Sequence, residues 1–570
     1  MKLRTALLAS VAMLATSTMA MADGHEGERG RDGQVNIIYW QAPSILNPYL
    51  SGGTKDVQAA SLMLEPLARY DENGALVSWL ATEVPTVENG GVAEDLTSIT
   101  WKLQEGLLWA DGSPVTSADI VFTSEYCMHP EGGCAQLKNF EGVAGVEAVD
   151  DLTVTVTFEG PTPFPYGPFV GMQSPILQMA QFEDCTGAKA PECTDANFGP
   201  IGTGPFTVTD FRPNDVISMA ANENYRVEGK PAFATVNFKG GGDAAAAGRA
   251  VMETGEFDYA WNLQLAPDVI ADMAKGGKGE PIAGFGTLVE RIMLNNTNPD
   301  PDLGPDDRSV QRPHPSLSDP AVYKALSLAI DRPLLVEIGY GDAGKVTCNL
   351  VAAPEAANSD TFTCDEQDID GANKMLDDAG WARGSDGVRE KDGVRLSYLY
   401  QTSTNAVRQD FQAIIKQWWA EIGVEAELRN ISGSVFFGGD PGSPDTFQKF
   451  YADVQMYANN FDGTDPQAYL AQYTCEKNPR PDTQWQGENI SRFCSEEFDT
   501  LHAELTQTAD ADERGRIAKE LNDMIVVGGG LIPLVHRGRV SAKSVTLGGV
   551  VLNVWDTELW NVADWYRISE

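Results

Sequence analysis

Residues 96–126 read LTSITWKLQEGLLWADGSPVTSADIVFTSEY. Within them, 97–104 (TSITWKLQ) predicts a strand, and Thr116-Ser-Ala-Asp119 is a capping box that opens a helix to about Met128. The Thr116 side chain can satisfy a free backbone N–H at the helix start, and Asp119 can reach back to the cap. Just downstream, 143–149 and 152–158 predict a hairpin about Asp150-Asp151. In its second strand Leu152, Val154, Val156 and Phe158 share one face, and Thr153, Thr155 and Thr157 share the other. A strict period of two marks a half-buried strand.

The pattern extends outward from this segment in both directions. Upstream lie a short apolar strand, Val35 to Trp40, a Pro/Asn/Gly loop to Thr54, and a helix from Asp56 to Leu64. Downstream, strands are expected at 206–211, 215–221 and 235–240, then a helix at 243–254 and a strand from Phe257 to Trp261. Strand, helix, strand over this distance is a βαβ unit. A second sheet region starts at Val289 to Leu294. Asp319-Pro320 supplies an N-cap and an N1 proline for a helix to about Ile330. Residues 396–401, 405–422 and 424–430 form another strand–helix–strand unit. After it come a Gly/Ser/Pro loop at 432–445, a strand at 453–457, helices near 495–506 and 510–526, and a strand near 531–537. Strands alternating with helices in two regions imply two α/β lobes.

The chain's 570 residues carry 41 Lys plus Arg against 82 Asp plus Glu, a net charge of −41. That excludes a nucleic-acid binder, which needs a basic stripe to displace counterions from phosphates. It also argues against docking on an anionic membrane. Residues 1–22 read as a cleaved export signal: Lys2 and Arg4 precede an apolar run from about Ala6 to Ala15, and Ala20-Met21-Ala22 is an A-x-A cleavage signature. The apolar run is too short to span the ~30 Å hydrocarbon core. The mature chain is therefore expected to be soluble and outside the cytoplasm.

Eight cysteines fall in four local couples: Cys127 with Cys134, Cys185 with Cys193, Cys348 with Cys364, and Cys475 with Cys494. Eight cysteines allow 105 connectivities. Short-loop closure favours local pairing, and an even count in an exported chain favours disulfides.

Catalytic signatures are missing: there is no G-x-S-x-G elbow and no H-E-x-x-H. Gly339 to Lys345 (GYGDAGK) nearly matches a phosphate-binding loop, but Val346 stands where a hydroxyl must reach Mg²⁺, so a helix-end turn is expected. Residues 366–377 resemble a calcium loop without its final Glu, and Asp370 is expected to cap a helix instead. No catalytic residue, metal site or cofactor is expected, and the balance moves toward binding. Trp261-Asn262-Gln264 end the first βαβ strand, where clefts form in such sheets. Trp261 either stacks on a ligand or packs the lobes together. Gly53-Thr54 sit on the first loop, where backbone can meet a ligand, and Asn460 either bonds a ligand amide or caps its own turn.

Three segments together, 96–126, PIGTGPFTV at 200–208 and HPSLSDPAVYKALSLAIDR at 314–332, resemble the periplasmic solute-binding proteins of peptide ABC transporters, extracellular family 5. The resemblance implies an α/β, type II, hinged two-lobed periplasmic-binding-protein fold with an extra inserted domain. Mapped onto this chain, lobe I takes 23–75, 200–290 and 530–570, the inserted domain 76–199, and lobe II 291–529. It implies a monomeric receptor that closes on a short peptide and delivers it to a membrane permease. Asp462, in Asn459-Asn-Phe-Asp-Gly-Thr-Asp-Pro466, matches the family aspartate that meets a peptide's α-ammonium; the alternative is an Asx-turn residue. Arg408 resembles the arginine that takes a ligand carboxylate; the alternative is a solvated helix residue. Family members also bind oligosaccharides, opines, nickel chelates or haem, so other ligands stay open. A secreted hydrolase and a structural envelope protein are the rivals from other classes.

Overall fold

The computed structural model describes residues 27–300, 302–304, 308, 312–440, 442–461 and 463–568. The expected export signal at 1–22 and Asp462 lie outside the described residues.

Two large sheets organise the chain. The first has seven strands in the order 279–284, 539–544, 259–261, 34–39, 235–240, 216–221, 206–212. Gln34–Tyr39 runs parallel to both neighbours, Tyr259–Trp261 and Thr235–Gly240, and the helix Ala244–Met252 makes the crossover between them. In Gln34–Tyr39, Val35, Ile37 and Tyr39 enter one core while Ile38 enters another with Ala247, Val251 and Met273. A sheet covered on both faces explains why this strand reads as an apolar run rather than an alternation.

The second sheet has six strands in the order 344–346, 531–537, 289–294, 454–459, 397–403, 425–431. Ser397–Ser403 and Glu425–Ile431 are parallel, joined by the helix Ala406–Glu421. Ile292 and Leu294 point into one core with Leu326, Phe411 and Trp419, and Met293 points into the opposite one with Tyr457 and Leu521.

The boundary expected at 529/530 is corrected here. Leu531–Arg537 pairs with Val289–Leu294 in the second sheet, and the chain enters the first sheet only at Arg539. Pairing across the sheet, which local apolar pattern does not encode, decides where this strand belongs. The two sheets are thus linked at Gly284 to Val289 and at Gly538, a pair of short crossovers. Gly538 fits because a Cβ there would stand 3.1 Å from the Gly284 carbonyl oxygen.

Residues 98–102, 143–150 and 153–158 form a separate three-stranded antiparallel sheet. Its Trp101, Val154 and Val156 share one continuous core with the first lobe. The helix Ser117–Met128 starts as read: the Asp119 carboxylate accepts the Thr116 N–H at 2.9 Å. The eight cysteines form the four local disulfides. Two local readings change. The 432–445 loop contains a helical turn, Gly433–Phe436. Asp368, not Asp370, caps the helix Ile369–Asp378, accepting the Gly371 N–H at 2.7 Å, because the cap must precede the first turn.

Candidate ligand-binding cleft

A cleft of about 830 Å³ opens between the two large sheets and the inserted region. Its floor is the hinge and the strand ends around Trp261, its walls the first loop and the helix that starts at Ala406, and its mouth two stapled loops.

Gly53, Thr54, Trp261, Asn262, Arg408 and Asn460 all line this cleft. The folding that brings them there is local. The Asp56 carboxylate accepts the Ser44 N–H at 2.7 Å and the Ser51 hydroxyl at 2.7 Å, which ties the first loop to the helix Thr54–Ala60. Trp261 is buried and stacks on Tyr39 with ring centroids 4.6 Å apart, so it packs the first lobe and presents only its remainder to the cleft. Asn262 is held in the left-handed region at φ 53°. Its N–H donates to Ser541 Oγ at 3.1 Å, and its carbonyl accepts Trp40 Nε1–H at 2.8 Å. A non-glycine residue held there by its surroundings is a mark of functional sites. Gln264 reaches the other lobe: its Nε2 donates to Tyr340 Oη at 3.3 Å, and its Oε1 accepts from Asn405 Nδ2 at 3.0 Å. Asn460 is half-buried at the end of a second-sheet strand.

Arg408 departs from both sequence readings. It is neither solvated nor offering a vacant fork. Its Nε donates to Glu290 Oε1 at 2.7 Å and its Nη2 to Glu290 Oε2 at 3.2 Å, with both residues buried. Burial opposes the guanidinium charge, but Glu290 together with Tyr340 and Tyr400 outweighs it, so Arg408 is more basic than usual. Tyr340 also donates to Glu290, at 3.0 Å, and burial followed by Glu290 pushes its phenol up to about 12.

Sequence reasoning missed the hinge residues Arg537, Arg539 and Glu558, which line the cleft floor. A signal was present: His-Arg-Gly-Arg at 536–539 sets two cations about a glycine in a strongly acidic chain. At the mouth, the loop closed by Cys127–Cys134 faces the loop closed by Cys475–Cys494. Lys138 donates to Glu488 at 3.0 Å, and Lys477 stands 3.5 Å from Glu141, so two ion pairs cross the opening.

Two α/β lobes, two crossovers and a polar interlobe cleft are the architecture of a hinged solute receptor. The profile of the bacterial extracellular solute-binding proteins, family 5 middle region, matches residues 75–480. The chain belongs to this family. A curated relative, protein XP55 of Streptomyces lividans, is 27% identical over 434 residues, 75% of this chain and 72% of its own length. The glutathione-binding protein GsiB of Salmonella typhimurium is 23% identical over 508 residues, covering 88% of this chain and 89% of the relative. Among solved structures, AppA of Bacillus subtilis with a nonapeptide has a TM-score of 0.78 at 19% identity, covering 95% of this chain and all of that one. NikZ of Campylobacter jejuni with Ni(L-His) has a TM-score of 0.78 at 20% identity, covering 94% and 99%. At these identities the structures establish the two-lobed fold alone.

Proposed function

We propose that this family 5 receptor serves an ABC importer in the periplasm, closing its lobes over a short peptide and presenting it to a membrane permease. The observation that carries the reading is the interlobe cleft of about 830 Å³, lined by backbone-rich loops and polar side chains at the ends of strands from both lobes. That volume lies within the roughly 300–1,000 Å³ usual for small-ligand sites, which favours a peptide of a few residues. Glutathione-binding and peptide-bound relatives support the peptide class. The family motif assigns the peptide's α-ammonium to Asp462, where a carboxylate in a closed cleft makes a charge-assisted bond. Gly53-Thr54 offer backbone, and Asn262 and Asn460 offer amide groups. Closure is a hinge motion at Gly284 to Val289 and at Gly538.

The test is to unfold mature 23–570 and identify released small molecules by mass spectrometry. Short free-amine peptides are expected. Asp462→Asn is expected to bind such peptides at least tenfold more weakly, with an unchanged Tm in their absence. An opine or metal chelate as the released species would replace the peptide and keep the receptor; the AgaA–agropinic acid and NikZ–Ni(L-His) structures, at TM-scores of 0.75 and 0.78, favour that second reading. Turnover of a peptide or ester panel would overturn both.

A further inference from the structure

We propose that Arg537, backed by Arg539, forms a carboxylate subsite on the hinge floor of the cleft, in place of Arg408, to which the family resemblance assigns a ligand carboxylate. The proposal deepens the receptor reading above and rests on it.

Among the described residues, each of five basic side chains lining the cleft stands beside an acid. Lys55 lies 2.8 Å from Asp56, Lys138 3.0 Å from Glu488, Arg408 2.7 Å from Glu290, Lys477 3.5 Å from Glu141, and Arg539 3.9 Å from Glu558. Arg537 is different. It is 4% exposed, and among the described residues no carboxylate lies within ion-pair distance of it. Its Nη2 donates to Asn262 Oδ1 at 2.8 Å, and its guanidinium lies 5.7 Å from the Tyr340 ring centroid. Its Nε is buried without a hydrogen-bond acceptor. Arg539 Nη2 and Glu558 Oε1 likewise lack hydrogen-bond partners among the described residues. A buried cation with an idle donor is costly unless an anion arrives to meet it.

The surroundings hold the group in place. Asn262, itself fixed in the left-handed region, orients one end of the guanidinium, and Tyr340 flanks it. Glu558 faces Arg539 rather than Arg537, and its Oε2 accepts both the Tyr259 and Ser541 hydroxyls at 2.5 Å. A planar guanidinium with an idle Nε beside its Nη2 suits a carboxylate, which accepts two parallel N–H bonds on that edge. The position carries a further consequence: Arg537 ends the last strand of one lobe, and Asn262 follows a strand of the other. An anion held here touches both sides of the hinge, so its binding favours the closed arrangement.

Calorimetry on the full mature chain tests this with three probes: Ala-Ala-Ala, its C-terminal amide, and Ala-Glu-Ala amide. The free acid is expected to bind at least tenfold more tightly than the plain amide. Arg537→Gln loses that factor for the acid and nothing for the amide, and Arg537→Lys retains part of it. Recovery of affinity by Ala-Glu-Ala amide assigns the subsite to an acidic side chain; no recovery assigns it to the C-terminus. The melting temperature without ligand separates a structural role: removing a buried unpaired cation leaves it equal or raises it, whereas a structural arginine lowers it. Equal binding of all three probes to the parent chain, or equal losses for all three in Arg537→Gln, overturns the subsite. If no peptide binds the parent chain, the peptide reading falls by itself. The comparison then uses molecules released from the unfolded protein, before and after methyl esterification. Esters that bind as well as acids, or released molecules with no acidic group, overturn the subsite.

Discussion

The Arg408 guanidinium and the Glu290 carboxylate, 118 positions apart in the chain, form a buried two-point ion pair at 2.7 and 3.2 Å on the wall of the cleft. The pair ties the helix Ala406–Glu421 to the strand Val289–Leu294, the first strand of the second lobe after the hinge. Ser403 Oγ accepts from the remaining Nη1 at 3.3 Å, so the guanidinium is satisfied from within the protein. Its role is to hold the wall beside the hinge.

A mutant cycle on this pair follows directly. Arg408→Met alone leaves the Glu290 carboxyl buried without its partner; Glu290→Leu alone leaves the Arg408 guanidinium buried without its partner. Each single variant is expected to lose about 3–5 kcal/mol of stability, since breaking a buried pair strands a charge. The double variant replaces both charges with apolar groups and should recover much of that loss. Urea denaturation of the four proteins checks it. A double variant as unstable as the sum of the singles would show that the two side chains act independently.

The ion pair also marks where the sequence stops being legible. Local periodicity located most strands, including the Thr/Val alternation at 153–158 and the parallel unit around Ala406–Glu421. These elements announce themselves because period and capping are local properties. Which sheet Leu531–Arg537 joins is a non-local fact, and there the expectation failed. Glu290 and Arg291, side by side in the apolar strand VERIML, were the overlooked clue. Both are buried, one meeting Arg408 and the other Tyr469, on opposite faces. Charged neighbours inside an apolar strand demand partners, but nothing local says where those partners lie.

Closure should respond to salt. Lys138–Glu488 and Lys477–Glu141 cross the mouth between partly exposed side chains. Such pairs contribute about 0.2–1 kcal/mol each. Lys138→Ala with Lys477→Ala should therefore leave the Tm nearly unchanged while shifting the ligand-free chain toward a wider opening. Raising salt to about 1 M, where the screening length is about 3 Å, should produce the same widening in the parent chain. Small-angle scattering reads the radius of gyration; an unchanged value in both experiments would remove these pairs from any part in closure.

Acidification should weaken the hinge through His536. Its Nε2 lies 2.7 Å from the Gly286 carbonyl oxygen, and the ring packs against Phe285. Burial, with Lys345 adding to it, holds its pKa below the ordinary 6.5. Above that value the imidazole is neutral in both the folded and unfolded chains and contributes no pH dependence. As pH falls through 6.5 the unfolded chain takes the proton first, so stability drops until the folded pKa is reached. Against this, His536→Gln keeps an amide donor and loses the titration. Tm measured from neutral pH to about pH 5 should fall less steeply in the variant. Parallel curves would mean that other groups carry the acid sensitivity.

The disulfides should separate stability from binding. Cys475–Cys494 closes a loop at the cleft mouth, whereas Cys348–Cys364 closes a loop of similar length, 16 against 19 in sequence separation, whose residues do not line the cleft. The 348–364 loop instead packs behind the second sheet, where Leu350 and Val351 donate to Asn522 Oδ1 at 2.8 and 3.1 Å. Cross-linking loops of this size removes comparable chain entropy from the unfolded state, about 3 kcal/mol each. Replacing either pair by serines should thus lower stability by a similar amount. Only Cys475→Ser with Cys494→Ser should also weaken ligand binding, because that loop carries Lys477 and Glu488 across the opening. Denaturation and calorimetry on the two variants read the two effects separately. If both lose affinity in proportion to stability, the mouth loop acts through global unfolding; if only the mouth variant does, the staple holds the jaw in the position that meets the ligand.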